Sequence, residues 1–314
     1  MTYLNLNPSN HRNLYSFDKS FLKLTNLYKK NNLPNKIMFC GNKGIGKATL
    51  SYHLINFIFS NNEELKYNLN NFEINEFNKS YNLVNNNSHP NFFLIKKNID
   101  NKQIEISQVR NMINFANKSS FNNKEKIILI DGVEDLSINS LNALLKVIEE
   151  PNDNVFFILI LDNNKNVSST LLSRCIKFNL NMTSDECLQT TNKIIKNNLV
   201  DLINSDLLHY YNTPGDFLNL LNFSKNKKID ILKLNLKDLI KILIETADYK
   251  KDLDSQKNIS KFIELYFTNL IKQNASKKIN ILYSEFIKKV HNVKKFNLDF
   301  ESLIIEFKTK VLNE

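Results

Sequence analysis

The chain has 314 residues, 42% of them hydrophobic and 24% charged, which is ordinary for a globular protein with room for two or three domains. Its longest uninterrupted apolar run, Val155 to Leu161, is far shorter than the roughly 20 residues that span a bilayer as a helix, so no membrane partner is expected. The formal charge of +10 raises nucleic acid as a partner, but the chain is crowded with Asn, Lys, Ile and Phe, the residue mix of an A+T-rich genome, and much of that charge reads as lysines solvating helix faces.

In chain order, residues 1–8 carry no charged start followed by an apolar stretch, so no secretory leader is read. The three cysteines, Cys40, Cys175 and Cys187, are odd in number and far apart, which supports neither a disulfide framework nor a zinc ribbon and suits a reducing cytoplasm. Lys36 to Cys40 reads as the first buried strand, followed by a glycine cluster and a helix with Leu50, Leu54, Phe57 and Ile58 on one face. Residues 61–88 are Asn-rich and weakly patterned, and read as a surface insertion. Phe92 to Ile95 is the next strand, and Ser107 is the expected N-cap of a helix with Val109, Met112, Ile113 and Ala116 on its face. Ile127 to Ile130 is a strand ending at Asp131. A helix with Leu141, Leu144, Leu145 and Ile148 on one face follows, stopped by Pro151. Val155 to Leu161 and the shorter Ile176 to Phe178 complete the strands. Such alternation predicts a parallel, helix-covered α/β sheet. All five glycines and all five prolines lie at or before Gly215, so a domain boundary is expected just after Pro214-Gly215. Beyond it come helical stripes such as Leu232, Leu236, Leu239 and Leu243, then Phe262, Tyr266 and Leu270, which predict helix-on-helix packing without catalytic chemistry.

Three of the five glycines fall within six residues, in Gly41-Asn42-Lys43-Gly44-Ile45-Gly46-Lys47. This fits the phosphate-binding loop G-x-x-x-x-G-K, in which backbone N–H groups turn inward around a phosphate, the lysine meets its outer oxygens and a helix N-terminus supplies positive potential. A working loop next needs a hydroxyl for Mg²⁺, and this chain has Ala48. Thr49 follows, rotated about 100° around the helix and a poor substitute. Asp131 closes a Walker B-like strand, yet Gly132 stands where an active enzyme has a water-polarising Glu. Glu134 and Asp135 have the wrong spacing for that role and are expected to begin the following helix.

The stretch Asn142-Ala143-Leu144-Leu145-Lys146-Val147-Ile148-Glu149-Glu150-Pro151 and the tripeptide Ser173-Arg174-Cys175, in this order behind a Walker B-like strand, closely resemble the clamp-loader clade of the AAA+ superfamily. Within it the delta-prime subunits of the bacterial DNA polymerase III clamp loader resemble the chain best. The resemblance implies a RecA-like P-loop domain with a degenerate nucleotide site over residues 1–179, a helical lid over 180–223 and a helical collar or oligomerisation domain over 224–314. It also implies a five-subunit ring with ATPase motor subunits and delta, acting on a sliding clamp and primer-template DNA. By the same resemblance Arg174, one of only three arginines beside 39 lysines, is an arginine finger acting in trans. The lid arginine of active relatives is missing, since Asp216-Phe217 follows Pro214-Gly215. The four-cysteine zinc module of many delta-prime subunits is missing too, and neither zinc nor any other metal or cofactor is required. Gly41, Gly44, Gly46, Lys47, Thr49 and Asp131 would form a vestigial nucleotide site, compatible with weak ATP or ADP binding without hydrolysis.

Two other readings compete. An active clamp-loader motor ATPase, or another P-loop NTPase, is opposed by Ala48, Gly132 and the absent lid arginine. A nucleic-acid-binding protein with a vestigial fold has only bulk charge behind it.

Overall fold

The structure is a computed structural model that describes residues 7–98, 101, 103–150, 154–208, 213–250, 253–273, 277–296 and 298–312. Chain contacts divide it into two compact units: residues 1–196 with 212–222, and residues 197–211 with 223–314. The segment 180–223, expected as a lid, is therefore divided: 180–196 and 212–222 go with the first unit, 197–211 and 223 with the second.

The first unit is built in the order α1 (Asp18–Lys29), β1 (Lys36–Gly41), α2 (Lys47–Phe59), α3 (Lys79–Asn85), β2 (Phe92–Lys96), α4 (Ile106–Asn117), β3 (Lys126–Asp131), α5 (Ile138–Glu149), β4 (Val155–Asp162), α6 (Ser169–Leu172), β5 (Ile176–Asn179) and α7 (Ser184–Ile195). The five strands form one sheet in the order β2-β3-β4-β1-β5, every neighbouring pair parallel. This five-stranded parallel sheet, with the glycine loop leaving the inner strand β1, is the arrangement expected of a RecA-like P-loop domain. The strands read as unbroken apolar runs because both faces are covered. Ile37, Phe39, Ile127, Leu129, Ile158 and Ile160 pack on one side with α1 and α2. Met38, Cys40, Ile128, Ile130, Leu159 and Leu161 pack on the other with Val109 and Met112 of α4 and Leu144 and Ile148 of α5.

Three local expectations are corrected. α4 begins at Ile106 with Glu105 as its N-cap, in a capping box with Gln108, and Ser107 lies inside the helix. Glu134 and Asp135 form a separate 3₁₀ turn, Val133–Asp135, and α5 starts later with Ser137 as its cap. The insertion at 61–88 is no loose surface loop: Tyr67, Ile74 and Val84 are buried in the core around α2. Asn78, fully buried, N-caps α3 through Tyr81 N at 2.7 Å and donates to Glu63 Oε2 and Leu65 O. α5 ends at Glu149; Pro151, expected to stop it, lies outside the described residues.

In the second unit come α8 (Ser205–Leu208), the C-terminal end of α9 (Pro214–Lys227, its larger part in the first unit), α10 (Leu236–Glu245), α11 (Leu253–Gln273), α12 (Lys277–Phe296) and α13 (Phe300–Phe307). Phe267, Phe286 and Phe307 form a triangle of rings 5.6–5.7 Å apart that ties α11, α12 and α13 together. Leu232, expected on a helical stripe, precedes α10 and is exposed, whereas Leu236, Leu239 and Leu243 are buried. Pro214-Gly215 opens α9, a position that suits proline because the first helical N–H has no partner to lose. Among the described residues no helix is long and apolar enough to cross a membrane.

Candidate functional site

The glycine loop stands at the C-terminal edge of the sheet, between β1 and α2, and its backbone requires glycine at position 44. There φ is +87°, and a Cβ would lie 2.3 Å from Thr213 Oγ1. Gly215 presses on the same spot from α9: its N–H donates to Gly44 O at 2.9 Å. Thr213 N and Oγ1 both donate to Asp216 Oδ2, at 3.0 and 2.9 Å. The residue following Pro214-Gly215 thus spends its carboxylate on Thr213 at the start of α9, and no guanidinium stands at this position.

Lys47 opens α2 and is nearly fully buried. Its Nζ donates to Gly41 O and Asn42 O, both at 2.7 Å, so two of three ammonium donors are spent on the loop's own carbonyls. Burial pushes its pKa below the ordinary lysine value, while Asp162, Glu134 and Asp131 pull the other way. Burial in turn raises the Asp131 carboxyl, opposed by Lys47, Lys96 and Lys43. Glu134 is raised by burial as well, and its Oε2 accepts from Asp162 N at 3.3 Å. Asp135 is held below the usual carboxylate range, despite burial, by Lys165 at 2.8 Å and Lys97 at 3.4 Å. The structure therefore brings Gly41, Gly44, Gly46, Lys47 and Asp131 together, and sets beside them Glu134, which its spacing in the sequence had counted against. Ala48 turns its methyl to the core around α2, and Thr49 is half-buried at the next position. Gly132 has φ +91°, the left-handed region. Among the described residues no group of three or more His, Cys, Asp or Glu is placed to hold a metal ion.

Arg174 lies elsewhere. β5 starts at Ile176, whose register partner is Ile37 at the start of β1, while the loop leaves β1 after Gly41. Arg174 is thus at the N-terminal end of the sheet, about 16 Å of strand from its own loop. Its turn is anchored inward by Cys175, buried in the core and with its thiol pushed up to about 11 by burial, and by Ser173 Oγ donating to Thr170 O at 3.1 Å. The guanidinium points outward. Its Nη1 donates to Thr170 O at 2.8 Å and its Nη2 meets Glu149 Oε1 at 2.6 Å. Glu149 belongs to the Asn-Ala-Leu-Leu-Lys stretch; this pairing of the two motifs is invisible in sequence spacing. The other arginines differ in place: Arg12 pairs with Glu76 on the insertion, and Arg110 is exposed on α4.

Residues 18–184, more than half of the chain, match the family described as DNA polymerase III, delta subunit. The chain belongs to that family, as a delta-prime clamp-loader subunit. A DNA polymerase III subunit delta' from Haemophilus influenzae is 33% identical over 99 residues, 32% of this chain and 30% of that protein. A delta' subunit from Buchnera aphidicola subsp. Baizongia pistaciae is 26% identical over 239 residues, 65% of this chain and 66% of that one. A DNA polymerase III subunit gamma from Buchnera aphidicola subsp. Acyrthosiphon pisum is 29% identical over 154 residues, 46% of this chain and 42% of that protein. The alignments thus span less than a third of the Haemophilus relative and about two thirds of the Buchnera delta'. The matched stretch of the clamp-loader family, 18–184, contains the glycine loop, the Walker B-like strand and the Ser-Arg-Cys turn.

Proposed function

We propose that this delta-prime family chain is a non-hydrolysing member of a clamp-loader ring, lending Arg174 to the ATP site of a neighbouring motor subunit while the ring places a sliding clamp on primed DNA. The observation that carries the reading is the place of Arg174, half-exposed at the sheet end opposite its own glycine loop. An arginine so placed is out of reach of a nucleotide in its own chain and available to one in another. A planar guanidinium can meet two γ-phosphate oxygens at once, which an ammonium cannot. The non-hydrolysing part is supported by Ala48 and Gly132 in place of the Mg²⁺ hydroxyl and the water-polarising carboxylate. It is supported further by Lys47 bonded to Gly41 O and Asn42 O, and by Gly215 bonded to Gly44. ATP or ADP binding, where it survives, would be weak and would use Gly44, Gly46 and Lys47.

The test has two arms. The purified subunit turns over no ATP above background; turnover that vanished in Lys47→Ala would overturn the non-hydrolysing reading. In a ring reconstituted with delta and the motor subunits, Arg174→Ala assembles normally but loads clamps slowly, since an arginine finger contributes about 10³–10⁵ in rate at its one site. Arg174→Lys does not restore loading. A variant that loads clamps at the wild-type rate removes the finger, and one that melts early and is partly rescued by Lys makes Arg174 a structural ion pair.

A further inference from the structure

We propose that Glu149 is the positioning residue of Arg174: its carboxylate fixes the direction in which the guanidinium leaves the chain to meet a neighbouring subunit's nucleotide. The inference rests on the arginine-finger reading and adds a second residue to it. An arginine held at one point swings about that point, whereas one held at two nitrogens by acceptors from different elements has its plane fixed. Here Thr170 O, in α6, takes Nη1 at 2.8 Å, and Glu149 Oε1, at the end of α5, takes Nη2 at 2.6 Å. Two of the five N–H donors are used, and three remain for phosphate oxygens.

Glu149 is also badly placed for its own helix. It occupies the last turn of α5, where the unsatisfied carbonyls already carry partial negative charge and a cation is favoured. The helix gains nothing from a carboxylate there; the guanidinium across from it does. Glu150, one residue on and likewise exposed, is not among the partners of Arg174 and provides an internal control.

The test uses the ring reconstituted with wild-type partners, reading clamp-loading rate, ATP KM and assembly, beside thermal denaturation of each variant subunit alone. Glu149→Ala is expected to assemble normally, keep its KM and load clamps about tenfold slower, since misplacing a catalytic group by about 1 Å can cost up to about 10² in rate. Glu149→Gln retains most of the rate, because the amide oxygen accepts the same hydrogen bond, and Glu150→Ala loads as wild type. The variant combining Glu149→Ala with Arg174→Ala is no slower than Arg174→Ala alone, as required when one residue acts only through the other. Wild-type or faster loading by Glu149→Ala, with Arg174→Ala slow, overturns the proposal and leaves the finger standing. Losses that add in the double variant, together with an early-melting Glu149→Ala subunit, also overturn it and make the pair a structural tie. Wild-type loading by Arg174→Ala removes the finger reading and Glu149 with it.

Discussion

Position 132 carries glycine where the resemblance to active AAA+ proteins calls for a glutamate, and the backbone has adopted a conformation to match. With φ at +91°, an L side chain there costs about 1–2 kcal/mol before it makes any contact. A Cβ would have room, its nearest neighbours being Asp135 Oδ2 at 3.5 Å and Glu134 Oε1 at 3.9 Å, but both are carboxylate oxygens. A glutamate would therefore add like charge to a strained backbone. Introducing both groups together, Ala48→Thr with Gly132→Glu, should lower stability by about 1–3 kcal/mol and produce no turnover. Lys47 would remain committed to Gly41 O and Asn42 O. Urea unfolding and an ATPase assay of the same preparation check both halves, and a stable, active double variant would show that the site is only two side chains from function.

Helix α2 shows what an element owes to the segment that covers it. Its sequence shows one apolar face, yet Ser51, His53, Asn56 and Phe59 are buried as well, because the insertion closes over the outer side. His53, wholly buried, accepts from Tyr67 Oη at Nδ1 (2.7 Å) and donates from Nε2 to His11 O (3.1 Å), and burial pushes its pKa down to about 3. An unfolded histidine titrates near 6.5. Below that pH the unfolded chain takes up a proton that the folded chain refuses. Stability contributed by neutral His53 is therefore complete above about pH 6.5 and is lost as pH falls toward 3, at about 1.4 kcal/mol per pH unit. Urea midpoints at pH 7, 6 and 5 should show this slope and a shallower one in His53→Gln; equal slopes would place the acid sensitivity in other groups. The same contrast explains what was legible in the sequence. β1, β3 and β4 were legible to within a residue because strands covered on both faces leave unbroken apolar runs. The glycine loop stood out because glycine is scarce. The insertion was opaque because much of its burial is of Asn78 and Ser80, held by hydrogen bonds to Asn56, Glu63 and Leu65 that leave no hydrophobic period. The pairing of Glu149 with Arg174 was opaque for another reason: a carboxylate's partner across the fold has no local signature.

At the scale of the whole molecule, the chain leaves the sheet-bearing unit at residue 196, contributes Leu199, Ile203 and Leu207 to the core of the helical unit, and returns for 212–222. Asn204 bonds Ile231 O and Leu232 O there, and Asn269 reaches Asp206 O. Cutting near Phe223 would strand three buried apolar residues, so a truncated fragment tests folding as much as assembly. Point substitutions separate the two. Phe296, Leu298 and Ile305 are more than half exposed on the helical unit, near the junction of α12 and α13, where the aromatic triangle beneath already supplies the core. Single apolar residues at a surface need no explanation, but three from consecutive segments suit a surface that neighbouring subunits cover. If this unit carries the ring contacts, Leu298→Ser with Ile305→Ser should shift stability by no more than about 0.5 kcal/mol each, as ordinary surface changes do. The doubly substituted chain should then melt with the wild type and fail to co-purify with the motor subunits. Normal co-purification would move the assembly surface off these segments. An early-melting variant would mean that they belong to the unit's own core.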